Sequence, residues 1–173
     1  MKGRNLIIGL MALFSWLSAC VEDAVLPQPP LVVPFTTEQA GIKSEFEMQV
    51  TKDRPYKFSI QLGYRHGDEG DRNRVSRLAG RYGRMNTKLI EPGISIPLRL
   101  KINLLGPSGT KLLVDREFWE QEMYAEGSDR FLKTITVVRL TPGRYNVSIQ
   151  YLKDVPELRG TPVALTIFED WVK

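Results

Sequence analysis

The fold is decided by the stretch Tyr56-Lys57-Phe58-Ser59-Ile60-Gln61-Leu62, in which large apolar and polar residues alternate. A period of two is typical of a β-strand that has one face on a core and the other in water. The residues just before it alternate in the same way, with Phe46, Met48 and Val50 as the apolar members. Because the connection Lys52-Asp53-Arg54-Pro55 is short and polar, it predicts that the two runs form an antiparallel pair.

Five later runs also have strand character and are separated by turn signals such as Thr141-Pro142-Gly143. They are residues 98–104, 111–118, 131–140, 145–151 and 163–168. Between the runs 56–62 and 98–104, Asp71 is placed to cap a helix that reaches about Tyr82, with Val75, Leu78 and Ala79 on one arc. The pattern predicts a mainly β protein: an antiparallel β-sandwich (Ig-like or C2-like) of about seven strands, with one short inserted helix near 71–83.

The N-terminus has the parts of a secretory signal, namely Lys2 and Arg4, an apolar run over residues 6–17, and small residues at its end. The run is shorter than the roughly 20 residues that span a bilayer. It ends in Leu17-Ser18-Ala19-Cys20, which reads as a lipobox and contains the only cysteine of the chain. We therefore expect a lipoprotein signal peptide over residues 1–19 and a lipidated Cys20. The alternative is a soluble secreted protein with an incidental cysteine.

The predicted anchor has consequences for location and domain order. Lipoproteins of this kind carry three acyl chains, which makes anchoring effectively irreversible. Asp after the cysteine favours the inner membrane, so Val21 favours the periplasmic face of the outer membrane. Because residues 20–40 contain four prolines, we expect a semi-rigid tether there, or a disordered leader. The β-sandwich domain would then occupy residues 41–173.

Composition sets further bounds. A chain of 173 residues that loses its first 19 keeps enough residues for one domain with a core. The net charge of +4 falls by two when Lys2 and Arg4 leave, so the basicity indicates no nucleic-acid partner. With Cys20 lipidated, no intrachain disulfide can form.

Four motifs follow one another in a recognisable order along the chain. They are Tyr56-Lys57-Phe58-Ser59-Ile60, Arg72-Asn73-Arg74-Val75-Ser76-Arg77-Leu78, Pro92-Gly93-Ile94-Ser95-Ile96-Pro97 and Leu140-Thr141-Pro142-Gly143-Arg144-Tyr145. Their order, over about residues 45–168, resembles an uncharacterised proteobacterial lipoprotein domain family of unknown function, DUF5625. The resemblance implies the location and the fold but no activity.

Signals for catalysis and metal binding are weak. The one histidine, His66, lies in a charged loop and has no nucleophile motif beside it. Asp68, Glu69 and Asp71 are spaced like calcium ligands, but arginines occupy the next ligand positions. We therefore predict no catalytic residue, metal site or cofactor. Paired carboxylates for glycoside hydrolysis stay open, because their spacing is set in space rather than in sequence.

A basic stripe on the predicted helix is the first candidate binding surface. Guanidinium groups bind phosphate or carboxylate with two parallel hydrogen bonds. Anionic lipid headgroups, lipopolysaccharide phosphates or an acidic protein face would all fit. The alternatives are internal pairing with the acidic segment 115–129, or a solvated helix face. The stripe consists of Arg74, Arg77, Arg81 and Arg84.

The acidic segment 115–129 is the second candidate, because aromatic residues and methionine are interleaved with its acids. Such residues are enriched at protein interfaces, and Trp119 and Tyr124 are the members proposed to bind. The alternative is that Phe118 and Trp119 belong to the core at a strand end. We expect the second half of the segment to be an irregular loop or a short helix.

The sequence as a whole predicts a non-enzymatic, membrane-tethered binding module with a protein partner in the envelope or periplasm. An immunity-type lipoprotein and an accessory subunit of an envelope assembly are two versions of it. The alternative is a cell-envelope hydrolase or lipid-modifying enzyme that uses carboxylates. Two close acids with perturbed pKa values in a cleft would favour the enzyme, and an exposed apolar patch would favour binding.

Overall fold

Two antiparallel sheets face each other, and the alternation in the sequence decides which side chains lie between them. The computed structural model describes residues 25–36, 39–82, 89–91 and 93–170. The helices are α1 (Glu69–Ala79) and a 3₁₀ turn (Pro156–Leu158). The strands are β1 (Leu31–Pro34), β2 (Lys43–Val50), β3 (Arg54–Gly63), β4 (Arg81–Tyr82), β5 (Leu89–Glu91), β6 (Leu98–Gly106), β7 (Gly109–Phe118), β8 (Glu122–Glu126), β9 (Arg130–Leu140), β10 (Gly143–Tyr151) and β11 (Val163–Glu169).

The sheet order confirms the predicted mainly β, sandwich-like fold. One sheet has the order β1-β11-β3-β9-β8 and the other β2-β10-β6-β7, while β4 and β5 form a separate two-stranded sheet. Every recorded strand pairing is antiparallel. The seven predicted strands correspond to β2, β3, β6, β7, β9, β10 and β11.

The core lies between the sheets and contains the apolar members of the alternating runs. Tyr56, Phe58, Ile60 and Leu62 of β3 are at most 2% exposed. They belong to one cluster with the inward residues of the opposite sheet, among them Leu98, Leu100, Ile102, Tyr145 and Val147. Burial of each large apolar side chain stabilises the fold by about 1.5–3 kcal/mol, which is why this period specifies the architecture.

The predicted pairing of residues 46–50 with 56–62 is wrong. Strand β2 pairs with β10, whereas β3 lies in the other sheet between β11 and β9. The connection over residues 51–53 therefore crosses from one sheet to the other. Alternation shows that each run has one buried face. It does not show whether two such strands are neighbours in one sheet or face each other from two sheets.

Four strands were not predicted, and two of them correct earlier expectations. Strand β1 pairs with β11, Leu31 opposite Ile167, so the predicted tether over 20–40 is wrong for this part. Pro34 ends this edge strand, where a missing donor is tolerated. The second half of the acidic segment is strand β8 rather than a loop or a helix.

The predicted helix exists, but its bounds of 71–83 are wrong. The cap is Asp68, whose carboxylate accepts from the Asp71 backbone N–H at 2.9 Å. The helix ends before Gly80, which has a φ of 97°. A glycine with a positive φ commonly terminates a helix, and Arg81 begins strand β4 directly afterwards. Val75 and Ala79 are buried as predicted.

No helix among the described residues is both long and apolar enough to cross a bilayer. Residues 1–24 lie outside the described part of the chain. The predicted signal peptide and Cys20 are therefore still predictions from the sequence.

Candidate functional site

A groove of about 480 Å³ lies between helix α1 and strand β8. The helix is held in place because Val75 and Ala79 are buried in the core, and it packs against β3 and β9. Strand β8 is the last of the described strands of its sheet. The described residues that line the groove are Arg72, Asn73, Ser76, Arg77, Gly80, Met123, Glu126 and Phe131.

The base of the groove is apolar and well supported. Phe131 is 2% exposed, and its ring centroid lies 5.3 Å from that of Tyr64. The Tyr64 hydroxyl donates to the carbonyl of Gly127 at 2.9 Å, which fixes the chain just after β8. Met123 packs against the same core. These contacts hold the β8 side of the groove against the core.

An ion pair joins the two walls at one end. Arg72 in the first half of α1 donates to Glu126 at the end of β8, with 2.6 Å between Nη2 and Oε1. Glu69 lies 3.6 Å from the same guanidinium. Arg72 is thus shared by two acids, and its charge is largely compensated within the protein.

The structure separates the four arginines of the predicted stripe. Arg74 donates to Asp71 at 2.8 and 3.0 Å and to the Thr161 hydroxyl at 2.9 Å, so it is engaged internally. The Arg65 backbone N–H and then Arg74 lower the pKa of the Asp71 carboxyl. Arg81 lies on strand β4 rather than on the helix, so the prediction of one continuous helical stripe is wrong. Arg84 lies outside the described residues.

Of the two stripe members whose side chains the structure describes, Arg74 and Arg77, the one that stays available is Arg77. Its side chain is exposed, lines the groove, and forms no ion pair with another described residue. A guanidinium in this position can bind a carboxylate or a phosphate from outside.

The two aromatic candidates lie elsewhere, and neither lines the groove. Trp119 is 45% exposed and its ring lies 4.9 Å from Lys153 Nζ, so it is not the core residue of the alternative interpretation. Tyr124 is half-buried beside a bulge in β8. Its hydroxyl is 3.3 Å from Ser59 Oγ, and its ring lies 4.7 Å from Lys57 Nζ. Tyr124 therefore covers the outer face of the five-stranded sheet.

The acidic loop at residues 68–71 serves the helix. Asp68 caps α1, and Asp71 accepts from Arg65 and Arg74. Within the described residues, no group of three His, Cys, Asp or Glu side chains is arranged to hold a metal ion. His66 is exposed at the mouth of a second depression formed by this loop and Glu126.

A buried lysine beside the site was missed. Lys133 is fully buried, and its Nζ donates to the carbonyl of Ile94 at 2.9 Å. Loss of hydration lowers the pKa of this lysine to about 8. The position of Lys133 between Phe131 and Ile135, in an alternating run, is a sequence signal that could have found it.

Lys133 helps to hold segment 93–97, which in turn fixes the end of α1. The Ile94 N–H donates to the carbonyl of Leu78 at 2.9 Å. The Gln121 side-chain amide accepts from the N–H of Ile96 and donates to its carbonyl. Gly93 has a φ of 70°, and an added Cβ would lie 2.5 Å from backbone atoms of residues 78–80. The wall of the groove that carries Arg77 thus depends on this close contact.

Comparisons with known proteins agree with the fold. The family model described as Domain of unknown function (DUF5625) matches residues 32–169. A crystal structure of a protein from Sulfurospirillum deleyianum superposes with a TM-score of 0.69 at 20% identity, covering 82% of this chain and 98% of that one. No curated protein matches significantly. The family match begins at Val32, in agreement with the observed strand β1.

Proposed function

The chain belongs to the DUF5625 family, and on that premise we propose that it is a membrane-anchored binding module that captures a protein partner in the cell envelope. The observation that carries this proposal is the groove between α1 and β8. It combines an apolar base, polar sides and the exposed Arg77. Concave sites of several hundred Å³ with a few placed polar groups are typical of binding sites.

Charge supports a partner with acidic groups at this site. Arg72 and Arg74 are already paired with described acids, whereas Arg77 is not. A carboxylate that reaches Arg77 on binding would gain a charge-assisted hydrogen bond without first breaking an internal ion pair. An immunity-type lipoprotein and an envelope-assembly accessory would both use such a surface, and the identity of the captured protein distinguishes them.

The carboxylates do not favour the hydrolase alternative. Glu126 is the one acid among the described residues that line the groove. Three described carboxyl groups have a shifted pKa, and in each it is lowered: Glu45 by Lys43, Asp71 by the Arg65 N–H, and Asp115 by Arg99. A general acid in glycoside hydrolysis needs a raised pKa.

We place the protein at the periplasmic face of the outer membrane, held by acyl chains on Cys20. We expect Cys20→Ser to abolish lipidation, because the thiol is the acceptor of the lipid. Metabolic labelling with a radioactive fatty acid, followed by immunoprecipitation, measures this directly. Persistent labelling of the variant would show that the lipobox interpretation is wrong.

The binding proposal is tested by reversible crosslinking in living cells, affinity purification of the chain, and mass spectrometry of what it retains. We expect one dominant protein in stoichiometric amount, and Arg77→Glu should reduce its recovery by about fivefold or more. Arg159→Glu is the matched control. It reverses an exposed arginine outside the groove that has no ion pair with a described residue, and it should leave recovery unchanged. Equal loss in both variants, or no retained protein, would contradict the proposal.

A further inference from the structure

We propose that the captured partner is a water-soluble periplasmic protein, which docks on the end of the sandwich away from the membrane and covers both the groove and Trp119. This inference rests on the proposed function, because it takes the anchor on Cys20 and the capture of a protein as its premises. It adds the direction of approach, the class of partner and a second contact residue.

The chain that leads to the anchor reaches the sandwich at one end, the tether end. There the carbonyl of Pro27 accepts from the N–H of Gln49, near the last residue of β2, at 2.9 Å. Residues 51–53, which lead into β3, and the turn at residues 107–108 lie at the same end. Pro27 is seven residues after Cys20, a length of chain that spans at most about 25 Å. An anchor on Cys20 therefore keeps the tether end within that distance of the bilayer.

The groove lies towards the opposite end, the far end, at which β3 stops and α1 begins. Strand β3 has ten residues, which span about 30 Å, and it runs away from the tether end. Phe131 at the base of the groove pairs with Leu62, close to the last residue of β3. The groove is therefore about 25 Å from the tether end along the strands.

Trp119 is at the far end as well, because it directly follows β7, which starts at the turn of the tether end. Its carbonyl accepts from the Ser95 hydroxyl. The N–H of the preceding residue, Ile94, donates to a carbonyl in the last turn of α1 at 2.9 Å. Segment 93–97 thus connects the helix end that carries Arg77 with Trp119, and the groove and Trp119 are neighbouring parts of one surface.

The size and chemistry of this surface fit a protein partner. A stable protein–protein interface involves about 20–30 residues on each side, whereas eight described residues line the groove. Extension of the contact over segment 93–97 adds Trp119, whose side chain is 45% exposed. Tryptophan is among the residues that most often dominate the energy of an interface. Lys153 Nζ lies over its ring at 4.9 Å, and the rest of the exposed indole is accessible to a partner.

The class of partner follows from the position of the surface. Lipid headgroups, and proteins confined to the bilayer, meet the tether end first. The far end faces the aqueous periplasm, from which a soluble protein approaches without contact with the membrane.

The shared surface is tested on the tethered full chain in living cells by reversible crosslinking and affinity purification. We expect Trp119→Ala to reduce, by about tenfold, the recovery of the same protein whose recovery Arg77→Glu reduces. Leu112→Ala is the matched control and should leave recovery unchanged, because this side chain is 54% exposed on β7 but nearer the tether end. The retained protein should also occur in the osmotic-shock fraction, which contains the soluble proteins of the periplasm. Circular dichroism checks that each variant is folded.

The direction of approach is tested without the partner. The chain has one cysteine, Cys20, so in the lipidated protein an added cysteine is the only free thiol. Ser108→Cys at the tether end and Ser128→Cys, between β8 and β9 at the far end, each receive a fluorescent donor. The anchored protein is placed in vesicles of phosphatidylethanolamine and phosphatidylglycerol with an acceptor on the headgroups. Because the two sites are about 30 Å apart along the strands, energy transfer should be about twofold or more stronger from Ser108→Cys.

Equal or stronger energy transfer from Ser128→Cys would overturn the proposed direction. A partner present only in the membrane fraction would assign the surface to an integral membrane protein, and a crosslinked second copy of the chain would assign it to self-association. If Arg77→Glu reduces recovery and Trp119→Ala does not, the shared surface is wrong and the proposed function stands. If no protein is retained at all, the proposed function and this inference are both wrong.

Discussion

Gly93→Ala is expected to lower the free energy of unfolding by about 3–5 kcal/mol, the largest effect of any substitution considered. Two costs add. The φ of 70° is unfavourable for a residue with a Cβ, and that Cβ would lie 2.5 Å from backbone atoms of Leu78, Ala79 and Gly80. Backbone cannot move aside as a flexible side chain can, so segment 93–97 and the end of α1 must separate. Urea unfolding followed by circular dichroism measures the change.

Gly160→Ala is the matched control for this prediction. Its φ of 72° is nearly the same, and an added Cβ would meet nothing within 4 Å. The control should therefore report the conformational cost alone, about 1–2 kcal/mol. If Gly93→Ala costs no more than Gly160→Ala, the close contact with the helix end is not what holds segment 93–97.

Lys133→Met is expected to raise stability near pH 7 and to remove a pH dependence. The buried lysine has a pKa of about 8, against 10.5 for a lysine in water. Below pH 8 it is protonated in both states, and the folded protein carries the full cost of burying the charge, about 3 kcal/mol. Methionine avoids that cost but leaves the partners of Lys133, the Ile94 carbonyl among them, without this donor, so we expect a net gain of about 1–2 kcal/mol.

The sign of the pH effect follows from the direction of the shift. Because the folded pKa is depressed, the unfolded chain binds more protons between about pH 8 and 10.5, and stability rises with pH in that window. The wild type should gain about 2 kcal/mol between pH 7.5 and 9.5. Above pH 10 three tyrosines reverse the trend, because desolvation raises their pKa values: the buried Tyr56 and Tyr151 and the half-buried Tyr124.

Unfolding by urea at several pH values between 7.5 and 9.5 measures this dependence. Lys111→Met, at an exposed lysine on β7, should keep the rise of the wild type, whereas Lys133→Met should lose it. A rise that persists in Lys133→Met would show that another group titrates in this range.

The strands that build the core were predictable because their signal is local. A residue such as Phe58 is apolar between two polar neighbours whichever strand it faces, so the period of two marks each core strand. The sheet to which a strand belongs is not local information, which is why β2 and β3 were wrongly paired. Strands β1 and β8 are short sheet edges, and they lack a long alternating pattern.

Of the binding residues proposed from the sequence, Arg77 alone is among the described residues that line the groove, and the arrangement of the groove was not predicted. Arg77 was identified because arginines cluster near the helix. The predicted stripe is not continuous, because Gly80 has a positive φ and ends the helix before Arg81. The second wall of the groove is β8, which could not be inferred from a segment of mixed acids and aromatics. Lys133 and Gln121 form hydrogen bonds with backbone groups of residues 94 and 96, which are distant from them in sequence. Their roles could therefore be identified only from the structure.

The central claim, that a protein partner binds in the groove, is tested most directly by a photo-reactive amino acid placed at Asn73 of the tethered protein in living cells. Asn73 is exposed and lines the groove, so the label replaces no buried group. The account predicts one crosslinked protein from Asn73, a crosslink that Arg77→Glu reduces, and none from the same amino acid at Arg159. Crosslinks from Arg159 and not from Asn73, or crosslinks that Arg77→Glu does not change, would contradict it.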